Sequence, residues 1–210
     1  MKYLSIVVTV LYLIVLIACQ NNPVNHDNDQ NGPVYVDGIE SFVNGILTDG
    51  EGHKYSTVRI GNQIWIAENW QCTHTTNGAS ISGVFIYDED DAYLEEYGRL
   101  YSWEAAKDAH PSGWRLPNDA DWEILIYSVG SNAANKLINE GSSGFNAQLG
   151  GRRTEDGDFG YLSAIGIYWT ATQSDASHAK VRIFVDGESN VITDNTPKGG
   201  AKSVRYIKDL

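Results

Sequence analysis

Cysteine is nearly missing from this chain: its 210 residues hold two, Cys19 and Cys72. Cys19 closes an apolar run at the start, so one thiol is left for everything after it, and an internal disulfide is excluded even in a compartment that would allow one. The fold must therefore stand on its core. Positive charge is also scarce, with 15 Lys and Arg against 27 Asp and Glu and a net charge of −12. Nucleic-acid binding needs clustered Lys and Arg to neutralise phosphates, and no such cluster occurs, so that class is set aside. Electrostatic adhesion to anionic lipid fails for the same reason. The chain has no Gly-x-Ser-x-Gly elbow, and its five His include no His-x-x-x-His pair for zinc. Ser102, Asp108 and His110 are near in sequence, but Asp108 and His110 fall at an expected helix end. No catalytic constellation, metal set or cofactor motif emerges.

What the first forty residues do contain is an export signal. Lys2 supplies one positive charge, Tyr3 to Ile17 carry none, and Leu16-Ile17-Ala18-Cys19 follows. That is the shape of a signal peptide. It is short for a spanning helix, which needs about 20 apolar residues, and no basic stop-transfer cluster comes after it. The alternative is an uncleaved anchor helix. Leu16-Ile17-Ala18-Cys19 resembles the bacterial lipobox, which implies cleavage before Cys19 and lipid on its thiol. The division is then a signal peptide over 1–18, an acylated Cys19 with a flexible tether over 19–40, rich in Asn, Asp and Pro, and one domain over 41–210. The expected location is outside the cytoplasm, anchored by lipid to a bacterial membrane, at the outer membrane or cell surface.

Within the domain, Thr57–Ile60 and Gln63–Ile66 alternate apolar with polar around Gly61-Asn62, a two-residue hairpin turn. Asn118 is placed to cap a helix whose Trp122, Leu125, Ile126 and Val129 share a face, with Asp119 and Asp121 at its positive end. Shorter helices are expected over Leu100–Ala109 and Asn132–Asn139. After residue 144, Gly-rich turns separate strand-like runs at 168–170, 181–185, 190–193 and 203–207, with Asp186-Gly187 as a hairpin turn. Strands at both ends with helices between them read as an α+β domain whose ends meet in one sheet.

Several blocks together carry a resemblance: Thr57 to Asn69, Tyr97-Gly98-Arg99-Leu100-Tyr101-Ser102-Trp103, Pro111-Ser112-Gly113-Trp114-Arg115-Leu116-Pro117, Gly150-Gly151-Arg152, Tyr168-Trp169-Thr170-Ala171-Thr172 and Ser203 to Asp209. In order and spacing they resemble the Fibrobacter succinogenes major paralogous domain over nearly all of 48–209. The resemblance implies a secreted or surface protein of C-type-lectin-like fold, with antiparallel sheets and two or three helices, and no established activity. Arg115 to Glu123 is also similar to a signature of the formylglycine-generating sulfatase-modifying family, which shares that fold. Those enzymes hold copper on a cysteine pair, and Cys72 alone cannot supply one. Tyr206 stands where the paralogous domain usually has Cys. The triplets that calcium-dependent lectins use for sugar are absent.

Two acidic runs remain. Asp88-Glu89-Asp90-Asp91 is oxygen-rich but lacks the spacing of a calcium loop, and Glu155-Asp156-Gly157-Asp158 reads first as a tight turn. Trp65, Trp122 and Trp169 sit in core-type patterns. Cys72 reads as a free, partly buried thiol. Ligand binding is assigned to the loops of 142–180, through Arg152, Arg153, Asp156, Asp158 and Tyr161, with Phe159 and Tyr161 supplying stacking faces; the alternative is that both rings close the loop on the core. The expected function is a non-enzymatic binding domain for a glycan or protein, without metal or cofactor. The alternatives are an enzyme or accessory acting on polysaccharide, and a structural or adhesive envelope component.

Overall fold

In the computed structural model the described residues are 34–36 and 39–208, so the expected signal peptide 1–18, Cys19 and most of the expected tether lie outside them. The chain opens with β1 (Val34–Val36), β2 (Ile39–Thr48), β3 (Lys54–Ile60) and β4 (Gln63–Ile66). A small ribbon of β5 (Val84–Phe85) and β6 (Leu100–Tyr101) brackets the short helix α1 (Leu94–Tyr97). Helix α2 (Trp103–Asp108), strand β7 (Trp114–Arg115) and helices α3 (Asp119–Val129) and α4 (Ala133–Leu137) follow. The remainder is strand: β8 (Gly150–Arg153), β9 (Phe159–Leu162), β10 (Ile165–Gln173), β11 (His178–Val185), β12 (Ile192–Pro197) and β13 (Ile207–Lys208). One sheet has the order β1-β2-β3-β4-β13-β7 and the other β12-β11-β10-β8-β9. Among the described residues the strand pairs are antiparallel except β8 with β10.

The β3–β4 hairpin forms as expected, with Ile60 opposite Gln63 and Gly61 at φ +59°, the backbone that a tight hairpin turn requires. The two ends of the domain do meet, since Ile207 pairs with Trp65 on one side and Arg115 on the other. Strand pairing starts at Val34, opposite Ser41, inside the segment read from composition as tether.

Helix α3 shows why its signature has the residues it has. Asn118 Oδ1 accepts the Asp121 N–H at 3.0 Å, and Asp121 returns the bond to the Asn118 N–H at 2.7 Å, a closed capping box. Arg115 then grips both Asp121 oxygens, at 2.6 and 3.0 Å. Asp121 is thus more than a dipole partner. The buried face carries Trp122, whose ring meets Trp65 of the first sheet at 5.0 Å and Tyr168 and Phe184 of the second at 5.8 and 6.3 Å. One side chain ties helix to both sheets. Burial of a ring this size is worth about 2–3 kcal/mol.

Three expected elements are displaced. Leu100–Tyr101 is strand, and α2 begins only at Trp103, because Ser102 caps it by accepting the Ala105 N–H at 3.4 Å. Strand β12 begins at Ile192 rather than at 190. Of 203–207 only Ile207 joins a strand; Lys202 and Ser203 bridge to Tyr101 and Tyr168 instead, as the segment threads between elements. In this segment Arg205 is fully buried and its five N–H groups reach Asn69 Oδ1, the carbonyls of Ile66, Phe145 and Asn146, and Gln148 Oε1. Burial lowers its pKa, while the Tyr168 and Glu68 oxygens favour the charge.

Candidate functional site

The hairpin expected to hold a ligand is β8 with β9. Its turn closes as expected: the Thr154 N–H bonds Asp158 O at 2.8 Å, and Gly157 takes φ +101°. Asp156 and Asp158 stand exposed on that turn. The arginines lie further back and go to different rings. Arg152 Cζ lies 4.8 Å from the Tyr161 centroid, and Arg153 Cζ lies 4.2 Å from Phe85 and 5.8 Å from Phe159. Each is a cation–π pair. Among the described residues Asp156 and Asp158 join none of these contacts.

Phe159 does not stand alone. Its ring meets Tyr87 at 5.3 Å, Tyr87 meets Tyr93 at 5.7 Å, and Tyr93 meets Tyr97 at 6.4 Å. Tyr97 Oη in turn sits 2.9 Å from Ser163 Oγ, beyond the end of β9. Phe85, Arg153, Phe159, Tyr87, Tyr93 and Tyr97 thus form one continuous strip, each side chain partly exposed. Tyr87 packs this close because residue 151 is glycine. A Cβ there would lie 3.0 Å from Tyr87 Cε2 and 2.5 Å from Gly160 O, at φ +66°. Phe159 packs along the strip rather than into the buried clusters, and Tyr161 stays half exposed beside Arg152.

The backbone under the strip is unusual. Asp88, Glu89, Tyr161 and Ser163 all take positive φ, at +51°, +57°, +68° and +61°. For a bulky residue such as Tyr161 that geometry costs on the order of 1–2 kcal/mol. It is held because the strip and the hairpin fix both sides. A hollow of about 320 Å³ adjoins Tyr97, lined also by Asn139, Gln148 and Ser163. The rings of the strip offer flat faces, the arginines offer donors, and the hollow offers amides and a hydroxyl. Such a set can stack and orient a ligand.

Sequence reasoning missed Phe85, Tyr87, Tyr93 and Tyr97. The signal was present as three tyrosines around the acidic run, but that run invited a question about calcium. Here Asp88–Asp91 make two short turns, with Asp90 Oδ1 accepting the Ala92 N–H at 2.9 Å. Among the described residues no three His, Cys, Asp or Glu side chains converge to hold a metal.

All six tryptophans are buried, none more than 8% exposed, so none of them supplies a free stacking face. Cys72 is buried as well. Its thiol donates to His74 O at 3.3 Å, and burial, together with the Asp49 and Glu51 charges, pushes its pKa up to about 11 against the hydrogen-bonding environment at His74. It is a thiol rather than a thiolate nucleophile. Ser102 is engaged as the α2 cap and His110 Nδ1 lies 3.1 Å from Pro111 O. Among the described residues no hydrogen bond joins Ser102, Asp108 and His110. Behind the hairpin, Lys202 is buried with Nζ 3.3 Å from Arg153 O, and burial plus the Arg152 charge bring its pKa down to about 8.

The family described as Fibrobacter succinogenes major domain matches residues 58–208, well over half of the chain. No curated protein and no solved structure matches it.

Proposed function

We propose for this chain, which belongs to the Fibrobacter succinogenes major domain family, the role of an exported, lipid-anchored module that holds a glycan against the aromatic strip. The fold we assign to the domain is of the C-type-lectin-like kind, with the strip on its long loop region. The observation that carries the reading is the strip itself: Phe159, Tyr87, Tyr93 and Tyr97 in ring contact and partly open to solvent, while every tryptophan is buried. Aromatic faces suit the C–H-rich faces of pyranose rings, and tyrosine hydroxyls at the edge add hydrogen bonds. Arg152 and Arg153, with the strip's backbone fixed in positive φ, supply donors and rigidity.

The anchor reading rests on Leu16-Ile17-Ala18-Cys19 after an uncharged run. Removal of residues 1–18 takes away one of the 15 basic residues and none of the 27 acidic ones, so the exported chain meets a membrane by its acyl chains and not by its charge. Mass spectrometry of the mature N-terminus should find a di- or triacylated Cys19, and an intact Met1 in the membrane fraction would refute it. For binding, the full chain in detergent micelles is applied to an array of bacterial and plant glycans. Saturable retention of a glycan class, competed by the same soluble oligosaccharide, is expected. Retention of no glycan at high micromolar concentration contradicts the reading.

A further inference from the structure

A second constellation lies on loops that the strip does not use. Ile81 N–H bonds Thr73 O at 2.8 Å and Thr75 N–H bonds Ala79 O at 2.9 Å, so His74 and Ser80 between them are directly opposed across an antiparallel bridge. Opposed side chains of such a pair lie on the same side of the ladder, with Cα atoms about 4.5 Å apart. Ser80 Oγ accordingly stands 3.2 Å from His74 Nε2. From the turn between β2 and β3, Glu51 reaches over and places Oε1 2.6 Å from His74 Nδ1. Thr73 fixes that carboxylate, donating both its backbone N–H and its hydroxyl at 2.6 Å. Burial opposes the charge on Glu51, but the Thr73 and His74 hydrogen bonds outweigh it and bring the pKa down to about 2.

With an ionised carboxylate accepting at Nδ1, a neutral His74 ring keeps its proton there and turns the Nε2 lone pair toward the Ser80 hydroxyl. Hydroxyl, imidazole and orienting carboxylate are in the order of a nucleophilic triad, which is recognised by geometry and not by chain order. Beside it opens a cavity of about 640 Å³ whose walls include Glu51, Trp70, Cys72, His74, Asn77 and His110. That size suits a small ligand. Among the described residues no Lys or Arg lines it while Asp49 and Glu51 do, so the lining disfavours an anionic ligand. Trp70, 1% exposed, has an indole N–H with no acceptor among the described residues. The Cys72 thiol adds a weakly polar wall.

We propose that Ser80, His74 and Glu51 form a hydrolytic triad that cleaves an uncharged carboxylic ester bound against Ser80, at the side of the cavity that His74 and Glu51 line and Ser80 does not. Ser80 Oγ bonds to the ester carbonyl carbon while its proton passes to His74 Nε2. The bond from that carbon to the alcohol oxygen breaks, and the alcohol leaves with the proton from His74. Water then attacks the acyl-serine with His74 as base, releasing the carboxylic acid and restoring the Ser80 hydroxyl. Glu51 holds the ring and stabilises its cationic form. The Asn77 amide, whose Oδ1 is engaged by Thr75 and by the Ala79 N–H, leaves its N–H groups as a candidate donor to the oxyanion. This reaction goes beyond glycan binding and does not depend on the strip.

The test uses the full chain in detergent micelles with p-nitrophenyl acetate and butyrate as substrates, and a biotinylated fluorophosphonate as covalent probe. Wild type is expected to release p-nitrophenol faster than buffer and to carry the probe on the peptide containing Ser80. Ser80→Ala, an exposed position, should lose both at unchanged circular dichroism. His74→Gln should lower kcat by about 1,000-fold or more, and Glu51→Gln should lower kcat with KM changed by less than about 2-fold. A folded wild type that is neither labelled at Ser80 nor faster than buffer overturns the triad, as does a Ser80→Ala chain that hydrolyses as well as wild type.

Discussion

Around Trp122 every ring is closed off from water, whereas along Tyr87, Tyr93 and Tyr97 each ring keeps part of its surface open. Both regions are built from ring contacts of about the same length, 5.0–6.5 Å in the core cluster and 5.3–6.4 Å in the strip. They differ in what lies beneath. The core rings come from regular helix and strand except Phe145, which lies on the loop between α4 and β8, and the cation among them, Arg205, has all five donors engaged. The strip rises from 3₁₀ turns, a four-residue helix and a hairpin whose backbone enters positive φ. A region whose rings are closed off from water around a cation with every donor engaged fixes the fold. A region that holds rings open on a strained backbone is arranged for contact with something else.

The contrast can be broken most severely at Arg205. Arg205→Met takes the donor from three buried acceptors and from two part-buried ones at Asn146 and Gln148, at about 1 kcal/mol each where water cannot replace it, so chemical denaturation should show a loss of about 3–5 kcal/mol. A loss below about 2 kcal/mol would mean that the region repacks or admits water. Trp122→Ala removes the side chain that joins α3 to both sheets, and unfolding should record about 3–5 kcal/mol. On the strip side, Gly151→Ala places a Cβ 2.5 Å from Gly160 O at a φ that alanine disfavours. Destabilisation of about 2 kcal/mol is expected, with altered tyrosine fluorescence from Tyr87.

A smaller effect separates the strip from the Glu51 loop by pH. Glu51 has its folded pKa at about 2 against an ordinary 4.5, so its contribution to stability is complete above about pH 4.5 and is lost as pH falls toward 2. Glu51→Gln should flatten the acid limb of the melting curve in that window. An unchanged acid limb would show that the Thr73 and His74 bonds do not persist in solution.

Much of the core was legible in the sequence because it follows local rules. The β3–β4 hairpin is written in Gly61-Asn62, and α3 in Asn118 and the spacing of Trp122, Leu125 and Val129. Trp65, Trp122 and Trp169 were readable as core from their patterns, and all three are fully buried. Boundaries failed where a polar side chain overrode the pattern, as when Ser102 delayed α2. The 203–207 run failed because its hydrogen bonds go to several elements in turn, which no periodicity records. The strip was half legible. Gly150-Gly151 and the aromatic residues of β9 drew attention to the hairpin, but the partners Tyr87, Tyr93 and Tyr97 lie some 60 to 70 residues away in sequence. The Ser80–His74–Glu51 set was illegible for the same reason, since Glu51 comes from a separate turn.

The smallest stability effects carry the most functional information. Tyr127, 88% exposed on α3, should lose less than about 0.5 kcal/mol on replacement by alanine, which makes it the control for the strip. The decisive measurement is the affinity of Tyr87→Ala/Tyr93→Ala and of Tyr127→Ala for the glycan retained by wild type, by titration calorimetry on chains shown to be folded. Each lost aromatic contact is worth about 0.5–1.5 kcal/mol, so the double variant should bind at least about 5-fold more weakly while Tyr127→Ala binds as wild type does. Equal affinity in a folded double variant would contradict the account and place the glycan away from the strip.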